Sequence, residues 1–129
     1  VVDAFAMLKI LSDENRLRII NVLKERSLCV GEIQTILNIK QSNASRHLDK
    51  LKSNGLIVSE KKAQWIYYKI NDVQLERYPF IKQLLYDDIR SISIFKEDML
   101  RLKKYDSSGL CCQDLKDVGH DFNKISFKN

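Results

Sequence analysis

The stretch Gln41-Ser42-Asn43-Ala44-Ser45-Arg46-His47-Leu48-Asp49-Lys50-Leu51-Lys52-Ser53-Asn54-Gly55 decides the fold. Its apolar residues Ala44, Leu48 and Leu51 return at helical spacing as one narrow stripe, so Gln41 to Ser53 is predicted to be a helix with most of its circumference in solvent. Asn54-Gly55 supplies the stop, because glycine accepts the left-handed conformation that ends many helices. Just upstream, Val30 to Leu37 reads as a short helix with Ile33, Ile36 and Leu37 inward, and Ile39-Lys40 is the connection. Downstream, Ile57 to Glu60 and Trp65 to Ile70 carry β-branched and aromatic residues on either side of the polar link Lys61 to Gln64, which predicts a hairpin. A short helix, a tight turn, a polar-faced helix and a basic hairpin follow one another in the order of a winged helix-turn-helix, whose second helix enters the major groove while the wing lies along phosphates or the minor groove.

Working outward, Phe5, Leu8 and Leu11, then Leu17, Ile20 and Leu23, mark two helices broken near Ser12 and Asp13, either of which can cap the second. Pro79 stands where a long last helix can begin, since a first-turn proline loses no needed donor. Ile81, Leu85, Ile92, Phe95, Met99 and Leu102 continue it, and a helix of about 24 residues would be about 36 Å long, more than so small a core needs. Its surplus stripe predicts a homodimer formed through the first and last helices. Periodicity fades from Asp106, and Lys116 to Asn129 is expected to be weakly structured. The predicted fold class is therefore mainly α with a small β-hairpin wing, divided into a DNA-binding and dimerisation domain over residues 1–104 and a C-terminal tail over 105–129.

Composition agrees with one domain. The chain has 129 residues, with 44% hydrophobic and 30% charged residues. Four glycines and one proline argue against a disordered or fibrous chain. No apolar window is long enough to span a membrane, and the first residues lack a signal-peptide pattern, so the expected location is cytoplasmic. The net charge is +5, and all of it lies between Lys40 and Lys69, where seven positive residues meet two negative ones. A concentrated excess of this kind is the footprint of a polyanion-binding face.

On that face, Gln41, Ser42, Asn43, Ser45, Arg46 and His47 are candidates for base edges, with Arg46 suited to guanine and Asn43 to adenine. Lys40, Lys50, Lys52, Lys61 and Lys62 are placed for phosphates, which set affinity and its salt dependence without reading sequence. No nucleophile-base spacing or glycine-rich phosphate loop marks a reaction centre, so an enzyme is not expected. A purely structural or antirepressor partner with a degenerate helix-turn-helix is the other rival, and the intact basic segment argues against it.

The run Phe5-Ala6-Met7-Leu8-Lys9-Ile10-Leu11-Ser12-Asp13-Glu14-Asn15-Arg16-Leu17-Arg18-Ile19 resembles the opening of the ArsR/SmtB family of metal-responsive bacterial repressors. Ser42 to Ile57 resembles the family's recognition helix and exit, and Trp65 to Ile70 the second strand of its wing. The resemblance covers roughly Phe5 to Leu102 and implies a homodimeric repressor that binds an inverted-repeat operator and releases it when an effector binds. It implies double-stranded DNA and a second copy as partners, with no membrane and no other protein.

The effector is read from the thiols. Ser27-Leu28-Cys29-Val30-Gly31-Glu32-Ile33 resembles the family's arsenic motif, but Gly31 and Gln34 stand where two further cysteines would be. Cys111 and Cys112 restore the count to three, which suits As(III) or Sb(III), thiophilic ions that take three sulfurs in a pyramid. The expected ligands are Cys29, Cys111 and Cys112, with no organic cofactor. Cys29 is also expected to be the N-cap of its helix with Glu32 at the third position, where the helix dipole favours a thiolate. Cadmium or lead at the same thiols is one alternative. Thiol redox or persulfide sensing, joining Cys29 covalently to Cys111 or Cys112, is another. The family's zinc site in the last helix needs histidines, and Ile81 to Lys104 has none.

Overall fold

Two aspartates open the first two helices. Asp3 Oδ1 accepts the Ala6 N–H at 2.9 Å and Asp13 Oδ1 the Arg16 N–H at 3.1 Å, starting α1 (Ala4–Leu11) and α2 (Glu14–Leu23). Each bond satisfies a donor that a helix start otherwise leaves without a partner. The structure, a computed structural model, describes residues 3–117.

A two-residue strand, β1 (Leu28–Cys29), precedes α3 (Val30–Leu37) and α4 (Gln41–Ser53). Asn38 ends α3 in the left-handed region, at φ 55°, and turns the chain through Ile39 into α4. The hairpin follows as β2 (Ile57–Lys62) and β3 (Trp65–Ile70), antiparallel with Ile57 opposite Ile70 and Lys62 opposite Trp65. The strands run further than the expected link allowed, so Lys61 and Lys62 lie on β2 and only Ala63 and Gln64 turn. Sequence periodicity also missed β1, which pairs with β3, Leu28 against Tyr68 and Cys29 against Tyr67, making a sheet in the order β1-β3-β2. Two residues are too few to show alternation.

The long last helix is corrected by the structure. In its place stand α5 (Asp72–Arg77), α6 (Pro79–Gln83), a π-helical turn (Leu84–Asp88) and, after a break at 89–92, α7 (Ser93–Ser108). The wide turn carries the Ile89 N–H back to Leu84 O, five residues earlier, and Leu85 and Ile89 are both buried in the core. Gly109, at φ +74°, ends α7 and leads to α8 (Cys112–Asp117). Positions 104 and 105 thus lie inside one helix, and Leu115 is fully buried in the same core as Ile33, Ile36 and Leu102.

That core fills the space between α2, α3, α4, the inner side of the hairpin and α7. Met7, Ile19, Ile20, Leu48, Leu51 and Leu56 are all fully buried. One face of α1 is not: Phe5 and Leu8 are 69% and 54% exposed. Among the described residues, no helix is long and apolar enough to cross a membrane.

Candidate nucleic-acid interface and thiol centre

The narrow stripe of α4 is buried as its spacing demands, through Ala44, Leu48 and Leu51. This turns Gln41, Ser42 and Arg46 outward, with Asn43 and Ser45 half-buried beside them. Arg46 Nη2 donates to Asn43 Oδ1 at 3.3 Å, so the two groups best suited to bases share one patch. Lys40, Lys50, Lys52, Lys61 and Lys62 are all exposed around it. Lys40 is the N-cap of α4 and gives no side-chain cap, which leaves first-turn N–H groups open toward the same side.

His47 departs from the expected base-reading set. It falls next to the buried stripe, is 2% exposed, and faces α2 instead of solvent. Its Nδ1 lies 3.5 Å from Arg16 Nη1 and its Nε2 3.9 Å from Asp13 Oδ1. An arginine can only donate, so Nδ1 must accept and the ring proton sits on Nε2, toward the carboxylate. Burial holds the imidazole below its ordinary pKa, against the opposing pull of Asp13. Arg16 also donates from Nε to the Ile10 carbonyl at the end of α1, at 2.7 Å. His47 thus packs α4 against the body, on the side away from its exposed polar patch.

The thiols meet at the other end of the helix-turn-helix. Cys29 is the N-cap of α3 and Glu32 accepts its N–H at 3.1 Å, as the sequence predicts. Cys112, at the start of α8, is joined to Cys29 in a disulfide across a sequence separation of 83. Cys29, Glu32 and Cys112 are all buried, and their ligand atoms lie within 4.8 Å of one another. Cys112 Sγ is 3.6 Å from Glu32 Oε1 and 3.4 Å from Tyr67 Oη. Cys111 is exposed and outside this cluster, its N–H given to Asp114 Oδ2 at 2.8 Å where α8 begins. Two of the three expected ligands are therefore brought together, and a carboxylate stands where the third sulfur was expected.

Glu32 is fully engaged. Its Oε2 accepts the Tyr105 O–H at 2.8 Å and Arg26 Nη2 at 3.4 Å, and Arg26 also pairs with Asp106 at 2.8 Å. Tyr105 is completely buried, and burial followed by the Glu32 charge pushes its phenol far above the usual range, so it remains a donor. Tyr67 is raised in the same direction, by burial and then by Glu32. Sequence reasoning found Glu32 as a helix-start partner and missed Tyr67, Tyr105 and Arg26, because each reaches the site from an element remote in the chain. A pair of soft sulfurs with a buried carboxylate can hold a thiophilic ion or be made and broken as a disulfide.

The family model for the bacterial regulatory protein arsR family matches residues 13–59, the span from the cap of α2 into β2. The arsenic resistance transcriptional regulator ArsR2 of Pseudomonas putida is 34% identical over 110 residues, covering 81% of this chain and 93% of that protein. This chain belongs to the ArsR family. The cadmium resistance regulatory protein CadC of Listeria innocua is 41% identical over 68 residues, 52% of this chain and 57% of its own length. Among solved structures, reduced HlyU from Vibrio cholerae matches with a TM-score of 0.58 and 34% identity, over 65% of this chain and 88% of that one. As an ArsR-family chain with this fold it is a DNA-binding transcriptional regulator and not a catalyst. The cysteine and carboxylate cluster points to a metal- or thiol-responsive site.

Proposed function

We propose that this ArsR-family chain is a homodimeric repressor of an inverted-repeat operator, released when As(III) or Sb(III) is held by the thiolates of Cys29 and Cys112 with Cys111 as the third sulfur. The observation that carries the reading is the meeting of Cys29 and Cys112 at the N-terminus of α3, the first helix of the helix-turn-helix. Cys111 is the next residue along the chain. To join, it must give up its helix-start bond with Asp114, so the demand for a third sulfur is itself a demand for rearrangement of α8. The exposed apolar face of α1 and the arsenic regulator's similarity along 93% of its length support the dimer and the effector class.

The test is an anaerobic titration of the fully reduced protein with arsenite, reading sulfur-to-arsenic absorption, remaining thiols and operator affinity together. One ion per subunit, loss of three thiols and an operator affinity lowered by about tenfold or more, an ordinary allosteric coupling, is the expected result. Cys29→Ser and Cys112→Ser should keep operator binding and lose release. Uptake with no loss of operator binding would refute the reading, and a matched titration with Cd(II) and Pb(II) ranks the effectors.

A second reading rests on the disulfide itself. Oxidation by hydrogen peroxide would form it, each thiol giving one proton and one electron while the peroxide is reduced to two waters. Release by peroxide without any metalloid, unchanged in Cys111→Ser, would favour this reading over the first.

A further inference from the structure

Helix α3 is only eight residues long, and the end that leads into the recognition helix has an unusual set of partners. An α-helix leaves its last four carbonyls without intrahelical donors. Here Gln34 O takes the N–H groups of Asn38 and Ile39, the usual local solution. The other three are taken by arginines from elsewhere. Arg101 of α7 donates from Nε to Ile36 O at 2.6 Å and from Nη2 to Thr35 O at 3.3 Å. Arg18 of α2 donates from Nη2 to Leu37 O at 2.9 Å while Asp98 of α7 grips the same guanidinium with both oxygens, at 2.7 and 2.9 Å. Asp98 is completely buried.

Helix α7 also holds the opposite end of α3, through Tyr105 on Glu32, and α8 adds the Cys29–Cys112 bond. Asp98, Arg101 and Tyr105 stand at i, i+3 and i+7, on one face of α7, so a single stripe spans from the thiol centre to the turn of the helix-turn-helix. We propose that this stripe couples the two sites: Arg101, with the Arg18–Asp98 pair, is the positioning group that converts the state of the Cys29–Cys112 thiols into a placement of the recognition helix. A shift of α8 when the thiols change state moves α7 along α3, and the carbonyls of Thr35, Ile36 and Leu37 are where that shift reaches the turn. Arg101 binds the C-terminal carbonyls of α3, apart from both the Cys29–Cys112 bond and the outer face of α4, which suits a positioning role. This deepens the thiol-gated repressor reading and rests on it, but is indifferent to whether a metalloid or a disulfide changes the thiols.

The test compares the disulfide form with the fully reduced form, in wild type and in Arg101→Met, which keeps the apolar stem and removes every donor. Operator affinity and hydrogen exchange at the Asn38 and Ile39 amides are read in both forms, with thiol counting to show that each form is what it should be. Wild type should show an affinity ratio between forms within the roughly 5- to 150-fold span of ordinary coupling, with a matching exchange difference at the turn. Arg101→Met should bring both close to unity while forming the same disulfide and binding the operator in at least one form. Arg101→Lys, retaining charge and a donor, should recover part of the ratio, and it carries the test should the methionine variant fold poorly. A full wild-type ratio in both variants overturns the coupling role and leaves the repressor reading standing. A wild-type protein whose operator affinity is the same in its reduced, disulfide and arsenite-loaded forms overturns both.

Discussion

The outer face of α4 and the back of α3 are both rich in polar groups, yet they are finished to very different degrees. On α4, Gln41, Ser42, Arg46 and Lys50 stand in solvent, and the bond joining the candidate base-reading groups, Arg46 to Asn43, spans three residues. On α3, the carboxylate of Glu32 and the carbonyls of Thr35, Ile36 and Leu37 receive donors from α2, α7 and the segment before β1. Buried polar groups must find partners within the protein, while exposed ones can wait for a ligand. The two surfaces differ in what is left to offer: the donors of α4 stand open in solvent, while the Glu32 carboxylate and the last carbonyls of α3 are already held by other elements and move with them, although the buried Gln34 Oε1 and Thr35 Oγ1 on the same helix have no hydrogen-bond partner among the described residues.

The largest expected effect falls on the finished side. The Cys29–Cys112 bond closes a sequence separation of 83 residues. By the chain-entropy account its removal costs about 4.5 kcal/mol of stability, taken as an upper bound. Urea unfolding of oxidised and fully reduced protein measures it. A Cys111→Ser protein should show the same difference, and a midpoint insensitive to reductant would mean the strap of α7 and α8 holds α3 without the bond.

Next is Arg46→Ala on the open side. Loss of a base-reading arginine should weaken operator binding by about 1–3 kcal/mol, roughly five- to over a hundredfold, and relax discrimination at one base position. Stability and thiol chemistry should change little, since the side-chain bond of Arg46 is to Asn43, one turn away on its own helix. Competition binding with single-base operator variants checks it. Uniform weakening over all variants would make Arg46 a phosphate contact and leave base reading to its neighbours.

These two effects also divide what the sequence discloses from what it conceals. The α4 stripe, the stop at Asn54-Gly55 and the hairpin residues are local patterns, and a period of 3.6 or 2 is visible within a dozen residues. Family membership follows from the same local runs. Cys29 as a helix N-cap with Glu32 three residues on is local too, and the structure has that arrangement. The bonds of Arg101 to α3 and of Tyr105 to Glu32 span 65 to 73 residues, and no spacing rule marks them. Cys112 and Cys111 are adjacent in sequence and identical in type. Only the start of α8 at Cys112 decides that one is buried and the other exposed. The supposed long helix failed for a related reason: its apolar residues do recur, but a π-helical turn and a break re-phase them, and periodicity alone cannot tell a re-phased pair of helices from one continuous helix.

His47 belongs to neither face, and it predicts the smallest effect. It lies on the recognition helix but is buried against Arg16 and near Asp13, so it bears on how α4 sits and not on what α4 reads. Burial holds its pKa below the ordinary value, so as pH falls the unfolded chain takes up the proton first, near 6.5. The unfolded state then binds more protons than the folded one. Stability should therefore decline as pH drops below about 6.5 and stop declining through this group once pH is below the folded value. Protonation would also place a second cation beside Arg16, with Asp13 the nearby anion that offsets it. Urea midpoints at pH 7.5 and 5.5 should differ more for wild type than for His47→Gln, which fills similar space without titrating. If the two proteins lose stability alike, the acid sensitivity lies elsewhere, and the Arg16 contact does not depend on a neutral imidazole.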